Sequence, residues 1–328
     1  MIKHNVNKKL IWHISNRGFG SEINNLLYAI NYCNKKNYDL ILEDSLWNFR
    51  IKKGWSDYFV SLDHEINFKK HRVLRATLFI LDKYIGLYKF TYYEKNRVGL
   101  VYLKNKKGKK VINLKVLVYL IINQILNIIK PKHTKIFFDS FEEVRKHSLI
   151  ELERNKRQFI EEINKILKKT WKLNSNFSKK IANKKTPIDE NYAVFHIRRG
   201  DKVDVGEDNF YDVSAYMKRL REINSFIKTV FVMSDDYTTF IDLNKRYPTF
   251  NFLTLIDEKE KGHLQDRFNQ KTINEKEVSA INLLTEIEIA KECKIFIGSK
   301  KSNLFRLIEY FKLDNCYDIS FGKCDFIL

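Results

Sequence analysis

From residue 192 onward, short apolar runs alternate with longer segments whose apolar positions recur three and four residues apart. The short runs, bounded by polar residues, are typical of buried strands, and the longer spacing is typical of helices. This pattern predicts strands at 192–196, 229–233, 251–255 and 294–298. It predicts helices at 213–227, around Phe240 and Leu243, at 277–293 and at 303–310. Strict alternation of this kind indicates a doubly wound parallel sheet.

The first half is less regular. It begins with a predicted strand at 10–14, a glycine turn, a helix at 21–34 and a strand at 38–43. A capping-box pattern at Ser140 predicts one long helix that runs to about Trp171. The apolar run 116–129 is too short to span a bilayer and predicts a buried or interfacial helix. The polar stretch 174–189 is interpreted as a linker, which predicts an N-terminal domain over 1–185 and a Rossmann-like domain over 186–328.

Charged residues follow the predicted strand at 192–196 directly: Arg198, Arg199, Asp201 and Lys202. Polar groups also follow the strands that end near Met233 and Gly298. The carboxyl ends of parallel strands lie at one edge of a sheet, where ligands of such folds bind. Forked arginine donors suit a diphosphate, so the pattern favours an anion site. The alternative for the arginine loop is a solvated Arg–Asp turn.

The composition of the 328 residues supplies a large core and a formal charge of +20, with a pI near 9.5. Nucleic acid, an anionic membrane or a phosphate-bearing substrate would each suit that charge. The lysines are scattered among Asn and Ile along the chain, so a solvated surface or a compositional bias explains them equally well. Four cysteines without a CxxC pair predict a reducing compartment. Residues 1–5 lack the apolar segment of a secretory signal.

Several motifs follow one another in a fixed order along the chain. The N-terminal half contains Gly18-Phe19-Gly20, Leu40 to Glu43, and Trp47-x-Phe49 followed by Gly54-Trp55. The motifs of the second half are His196-x-Arg198-Arg199-x-Asp201-Lys202-Val203, Ser234-Asp235-Asp236, Gly262-His263-Leu264-x-x-Arg267-Phe268, Glu286 and Ser302-Asn303-Leu304-Phe305-Arg306. In this order the motifs resemble those of the α1,6-fucosyltransferases. That family uses GDP-fucose and includes the core N-glycan and the rhizobial Nod-factor enzymes.

The resemblance implies a GT-B-like α/β enzyme with two Rossmann-like domains facing a cleft, which inverts the donor linkage and needs no metal or other cofactor. Arg198 would hold the β-phosphate, with His196 and Lys202 in the same pocket. The other donor-binding residues it implies are Phe49 near the guanine, Asp236, Arg267, Glu286, and Ser302 and Asn303 at a helix N-terminus. Glu286 has two interpretations, which are binding of the base and capping of a neighbouring loop.

The chemistry of the reaction sets two requirements of its own. The leaving diphosphate gains negative charge, so a metal-free site must supply cations and helix amides. The attacking hydroxyl is a poor nucleophile, so a carboxylate must accept its proton. The resemblance places this general base shortly after the arginine motif. Glu207 fits that position once one inserted residue is allowed, and Asp204 and Asp208 are the rivals.

The core N-glycan enzymes carry a membrane anchor, a stem and an SH3-like domain, and we expect none of these in this protein, because the 328 residues leave no room for them. We therefore expect a cytoplasmic enzyme of bacterial or viral origin that acts on a soluble or lipid-linked glycan. A peripheral contact with the inner membrane face is left open. Two alternatives remain, a transferase for another nucleotide sugar and a basic protein that binds nucleic acid or another polyanion. No recognised nucleic-acid motif supports the last of these.

Overall fold

The computed structural model describes residues 8–14, 17–44, 47–60, 62, 102–104, 110–112, 136–137, 141–200 and 209–320. The chain forms two compact units. The first comprises residues 1–10, 37–41 and 64–138, and the second comprises 11–36, 42–63 and 139–328. The predicted division into two domains at residue 185 stays a prediction.

The strands of the first half form two small sheets. Strands β1 (Lys8–His13), β2 (Tyr38–Glu43) and β5 (Ile136–Phe137) lie in the order β2-β1-β5, with β1 and β5 parallel. Strands β3 (Tyr102–Lys104) and β4 (Lys110–Ile112) pair in antiparallel fashion. The predicted strands at 10–14 and 38–43 are thus present, while the predicted helix at 116–129 lies outside the described residues.

The second unit is built on a parallel sheet of five strands. These are β6 (Tyr192–Ile197), β7 (Thr229–Ser234), β8 (Asn251–Thr254), β9 (Ile295–Gly298) and β10 (Cys316–Asp318). Their order is β10-β9-β6-β7-β8, and every described pair is parallel. The predicted doubly wound parallel sheet is confirmed. Strand β10 is short and half-polar. It was not predicted, because it lacks the apolar run that marks the other four strands.

Nine helices of the described residues belong to this unit. They are α1 (Phe19–Lys36), α2 (Phe141–Arg154), α3 (Lys156–Thr170), α4 (Ser175–Lys184), α5 (Val213–Ile223), α6 (Tyr237–Arg246), α7 (Gln265–Gln270), α8 (Ile273–Glu292) and α9 (Asn303–Lys312). A 3-10 turn spans Gly54–Asp57. Helix α5 buries Tyr216, Met217 and Leu220 against the sheet. Helix α1 packs against α2, α3 and α9.

Two predictions for residues 140–189 are wrong. The single long helix is broken at Asn155, whose side chain accepts a hydrogen bond from the Gln158 amide at 3.1 Å and so begins a new helix. The polar stretch 174–189 contains helix α4 rather than only a linker. Asn174 caps that helix, and Phe177 and Ile181, one helical turn apart, are both buried. Asparagine ends one helix and begins another because its side chain replaces a backbone acceptor.

Within the described residues, no helix combines the length and the apolar content that a bilayer crossing requires.

Candidate active site

The strand order creates a ligand-binding position at the end of β6. After β6 the chain adds β7 and β8 on one side, and then crosses over to add β9 and β10 on the other side. The helices that follow β6 and β9 therefore leave the sheet on opposite faces, which opens a crevice at the carboxyl ends of these two strands. Arg198 follows β6 there, and Ser299 to Ser302 follow β9. The prediction that these strand ends share one edge of the sheet is confirmed.

Asp235 joins three segments at this edge. Its carboxylate accepts backbone N–H bonds from Arg199 at 2.7 Å, Gly200 at 3.0 Å and His263 at 3.1 Å. Its backbone carbonyl accepts a fourth bond, from the Gly262 amide at 2.7 Å. One side chain at the end of β7 thus holds the arginine loop against the loop that precedes α7. Asp235 lies in the motif Ser234-Asp235-Asp236, but the sequence alone predicts no role for it.

Two glycines allow these loops to approach so closely. A Cβ atom on Gly200 would overlap the backbone N and O atoms of His263 and lie 2.9 Å from Oδ2 of Asp235. Gly262 has φ +89°, in the region that favours glycine, and a Cβ there would lie 3.2 Å from the Gly200 Cα. The contact is therefore one of backbone against backbone. It makes the position of the arginine loop depend on the loop that precedes α7.

The two arginines of the loop have different surroundings. Nε of Arg198 lies 3.4 Å from Oδ2 of Asp235, and a quarter of the Arg198 side chain is exposed. The Arg199 guanidinium turns away from Asp235 and donates to the carbonyls of Tyr211 at 2.7 Å and Arg198 at 3.3 Å. Burial lowers the pKa of Arg199. Arg198 is therefore the arginine placed to meet a ligand, and Arg199 supports the loop.

His196 lies beneath this loop on β6. Its ring is buried and stacks on Phe296 of β9, with ring centroids 6.3 Å apart. Burial, and secondarily the charge of Arg198, lower the pKa of His196 to about 4, so the imidazole is neutral at pH 7. In the described part of the chain, Nδ1 of His196 is buried without a hydrogen-bond partner. Buried polar atoms in native proteins are usually hydrogen-bonded, to protein groups or to ordered water.

The N-terminus of α9 lies on the other side of the crevice. Ser302 caps the helix by accepting a bond from the Leu304 amide at 3.2 Å. The Asn303 carbonyl accepts a bond from the Asn24 side chain at 2.8 Å. A Cβ on Gly20 would lie 3.1 Å from the Leu304 amide nitrogen, so the first turn of α1 packs on the first turn of α9. Gly20, the second residue of α1, therefore allows this packing.

Glu286 of α8 is a half-buried carboxyl near the same edge. Burial, and secondarily the charge of Asp235, raise the pKa of Glu286 to about 8. Among the described residues, the Glu286 side chain makes no hydrogen bond or ion pair, and in particular none to a neighbouring loop. An acid perturbed in this way beside a candidate ligand site is a functional candidate.

Three other residues predicted to bind the donor lie among the described residues. Phe49 is buried, and its ring centroid lies 4.4 Å from that of Phe268. Asp236 caps α6 by accepting from the Thr238 amide at 2.9 Å. Arg267 is exposed on α7. These positions do not test donor binding, so the assignments stay predictions.

The remaining predicted site residues lie outside the described residues. They are Lys202, the candidate base Glu207 and its rivals Asp204 and Asp208. Among the described residues, no three His, Cys, Asp or Glu side chains are grouped so that they could hold a metal ion. Metal independence stays a prediction.

A doubly wound sheet with an arginine and a helix N-terminus at its switch point defines a class of α/β proteins that bind phosphate-bearing ligands. The family model described as alpha-(1,6)-fucosyltransferase N- and catalytic domains matches residues 104–289. The match covers more than half of the chain. The protein therefore belongs to this fucosyltransferase family and is a glycosyltransferase. The predicted family and the GT-B-like α/β fold class are confirmed.

Solved structures of fucosyltransferases are similar to this chain at low sequence identity. A NodZ alpha-1,6-fucosyltransferase soaked with GDP-fucose is 11% identical, with 93% of this chain and 92% of that chain covered and a TM-score of 0.45. An Arabidopsis thaliana FUT1 variant in complex with GDP is 11% identical, with 93% and 68% covered and a TM-score of 0.48. POFUT1 in complex with GDP-fucose is 10% identical, with 96% and 98% covered and a TM-score of 0.47. A search of curated proteins gave no match.

Proposed function

We propose that this enzyme transfers fucose from GDP-fucose to a hydroxyl group of a glycan, in a single inverting displacement that needs no metal. The observation that carries the proposal is the arrangement at the switch point, where Arg198 is held by Asp235 opposite the N-terminus of α9. The family match supports fucose as the transferred sugar. The alternative is transfer of another sugar from another nucleotide, since a diphosphate site alone does not select the sugar.

In the proposed step, the acceptor oxygen attacks the anomeric carbon of fucose while the bond from that carbon to the diphosphate breaks. The hydroxyl proton passes to a carboxylate, for which Glu207 is the candidate. The bonding electrons leave with GDP, whose β-phosphate gains negative charge. Arg198, the Ser302 hydroxyl and the Asn303 amide at the start of α9 would stabilise that charge. No covalent intermediate forms, so no nucleophilic side chain is needed.

The incubation that tests this function uses the purified enzyme with GDP-fucose, GDP-mannose and a UDP-sugar, each in the presence of EDTA. We expect release of nucleoside diphosphate from GDP-fucose alone, with water as the acceptor when no glycan is present. Equal release from GDP-mannose, or a requirement for added metal, would contradict the proposed donor or mechanism.

Glu286 gives a pH prediction. We propose that its carboxylate accepts hydrogen bonds from the guanine N–H groups, which requires the ionised form. Because the pKa of Glu286 is about 8, GDP binding should tighten as pH rises from 7 to 8.5. Below pH 8 the loss should approach about tenfold per pH unit. Calorimetry on wild type, on Glu286→Gln and on the control Glu292→Gln measures it. We expect a flat profile only in Glu286→Gln.

The raised pKa of Glu286 also affects the stability of the fold. A rise in pH should strengthen GDP binding but should destabilise the folded protein. The folded protein holds the Glu286 proton up to about pH 8, whereas the unfolded chain releases it near the ordinary glutamate pKa of 4.5. Between these pH values the folded state binds more protons, so stability falls as pH rises. Glu286→Gln should therefore raise the thermal midpoint at pH 8.5 relative to wild type and have little effect at pH 4.5. A variant that is equally stabilised at both pH values would argue against the raised pKa.

The cytoplasm is the location we propose. The described thiols Cys293 and Cys316 are both free, which suits a reducing compartment. The acceptor we propose is a glycan with an exposed hydroxyl, in soluble or lipid-linked form.

Part of the excess positive charge lies on helices α3 and α4. Residues 209–320 contain 17 Lys and Arg and 17 Asp and Glu, whereas residues 155–185 contain ten Lys and Arg and two Glu. The Asn164 side chain of α3 donates to the Tyr310 carbonyl at 2.5 Å, near the end of α9 that is farther from Ser302. The ten residues of α9 span ~15 Å. The donor phosphates therefore do not account for the charge on α3 and α4.

We propose that this helix pair contacts an anionic membrane surface. Positions i, i+3 and i+4 share one side of a helix, and three exposed lysines of α3 have this spacing, with a fourth exposed lysine just after the helix ends. They are Lys165, Lys168, Lys169 and Lys172. Near an anionic surface each lysine contributes about 1 kcal/mol of attraction, which salt screens. A lipid-linked acceptor would be reached from such a position.

Vesicle flotation tests the membrane contact. The test variant changes the four lysines to glutamine, and a charge-matched control changes four exposed lysines of the second half: Lys228, Lys245, Lys259 and Lys294. At low salt we expect the wild type to bind vesicles that contain 30% phosphatidylglycerol. The test variant should bind them about a thousandfold more weakly. Equal loss in the control, or binding to duplex DNA but not to vesicles, would overturn the membrane assignment.

A further inference from the structure

Phe210 is an exposed aromatic side chain on the edge of the sheet that carries the site. It is 64% exposed, and it lies between the end of β6 and Asp212, which caps α5. A connection from a strand to the helix that follows it begins at the carboxyl end of that strand. Phe210 therefore belongs to the same edge as Arg198 and Asp235. Its exposure means that it adds little to the core.

The Phe210 ring is supported on one face. The central carbon of the Arg199 guanidinium lies 4.2 Å from the ring centroid, which is a cation–π contact. The guanidinium is itself fixed by the carbonyl of Tyr211, at 2.7 Å. Asp235 holds the backbone amide of Arg199. The ring is thus backed by the loop that places Arg198, while much of its surface stays open to solvent.

We propose that the open face of Phe210 binds the pyranose ring of the acceptor glycan. A sugar ring presents C–H groups on one face and hydroxyls at its rim, so it can cover an aromatic face while its polar groups stay hydrated. Aromatic side chains supply large contact area at a small cost in conformational entropy. The shared loop links Phe210 to Arg198, which would hold the donor. This assignment rests on the proposed function for its meaning as an acceptor site.

The chain offers a matched control in Phe226, which is 85% exposed. Phe226 lies between the end of α5 and the start of β7, so it is at the opposite edge of the sheet. Exposed aromatic residues that occur singly are ordinary in soluble proteins. A general effect of removing an exposed phenylalanine should appear at both positions, whereas an acceptor site should appear only at Phe210.

The experiment compares wild type, Phe210→Ala, Phe210→Trp and Phe226→Ala. Saturation-transfer NMR measures the affinity for two probes in the presence of GDP, the tetrasaccharides of β1,4-linked N-acetylglucosamine and of α1,4-linked glucose. We expect Phe210→Ala to weaken binding of at least one probe by roughly tenfold. Phe210→Trp should keep that binding, and Phe226→Ala should be unchanged. Calorimetry with GDP should give the same Kd in all four proteins.

Wild-type probe affinity in Phe210→Ala, equal losses in the two alanine variants, or no binding of either probe to wild type would each overturn the proposal. Thermal unfolding of each variant shows whether a loss reflects folding, and retained binding by the tryptophan variant supports the role of the aromatic face. If GDP does not bind wild type, the proposed function fails. Sugar binding that depends on Phe210 would then still support a sugar site at this position.

Discussion

Replacing Arg198 with alanine is expected to lower kcat/KM for GDP-fucose by about 10²–10³-fold, the usual effect of removing one donor that stabilises developing charge. Arg198 is partly exposed beside the crevice, and its Nε atom lies 3.4 Å from Oδ2 of Asp235. The side chain contributes little to the core, so the thermal midpoint should change little. Steady-state kinetics and thermal unfolding measured on the same preparation separate the two effects.

Two further variants sharpen this test. Arg198→Lys keeps the charge but not the forked donors, so we expect a partial loss. Lys245→Ala removes an exposed positive charge from the last turn of α6 and should behave as wild type. An Arg198→Ala enzyme with the donor affinity and rate of wild type would show that the diphosphate is held elsewhere.

Replacing Asp235 with alanine should both unfold the site and destabilise the protein. Three backbone N–H groups, of Arg199, Gly200 and His263, would lose their acceptor at one position. An unsatisfied buried donor costs about 1–3 kcal/mol, so we expect the free energy of unfolding to fall by about 3 kcal/mol or more. GDP binding should be lost as well, because Arg198 loses its ion-pair partner. Urea unfolding and calorimetry measure the two losses.

The controls for Asp235 separate its charge from its shape. Asp235→Asn keeps the volume and one acceptor oxygen, and we expect an intermediate loss of stability. Asp242→Ala removes an exposed carboxylate that pairs with Arg246 at 3.0 Å. Exposed pairs contribute at most about 1 kcal/mol, so this variant should be close to wild type. If Asp235→Ala were no less stable than Asp242→Ala, Asp235 would not hold the loops together.

Much of the fold could be predicted because its strands are short apolar runs with polar ends. The strand at 38–43 has the predicted bounds, and β6, β7, β8 and β9 lie within one or two residues of theirs. The break at Asn155 was missed because helical spacing continues on both sides of it. The order of the strands in the sheet could not be predicted either, because the periodicity of the apolar residues does not show which strands are neighbours.

The site was predictable in its location but less so in its contacts. Arg198 and Ser302 each follow a strand, and parallel topology brings such positions to one edge. The role of Asp235 was not predictable, because it depends on backbone amides from segments that are 28 to 36 residues away. Phe49 shows a related difficulty, since the sequence does not show whether an aromatic loop residue is buried or faces a ligand.

The central claim is that Arg198, held by Asp235, forms a guanine-nucleotide diphosphate site, and calorimetric titration tests it most directly. The enzyme would be titrated with GDP, GDP-fucose, GDP-mannose, UDP and ADP in EDTA, and the titrations would be repeated on Arg198→Ala. The account predicts binding of the guanine nucleotides that survives EDTA and is lost in the variant. No binding of any nucleotide to wild type, or equal binding by Arg198→Ala, would contradict it.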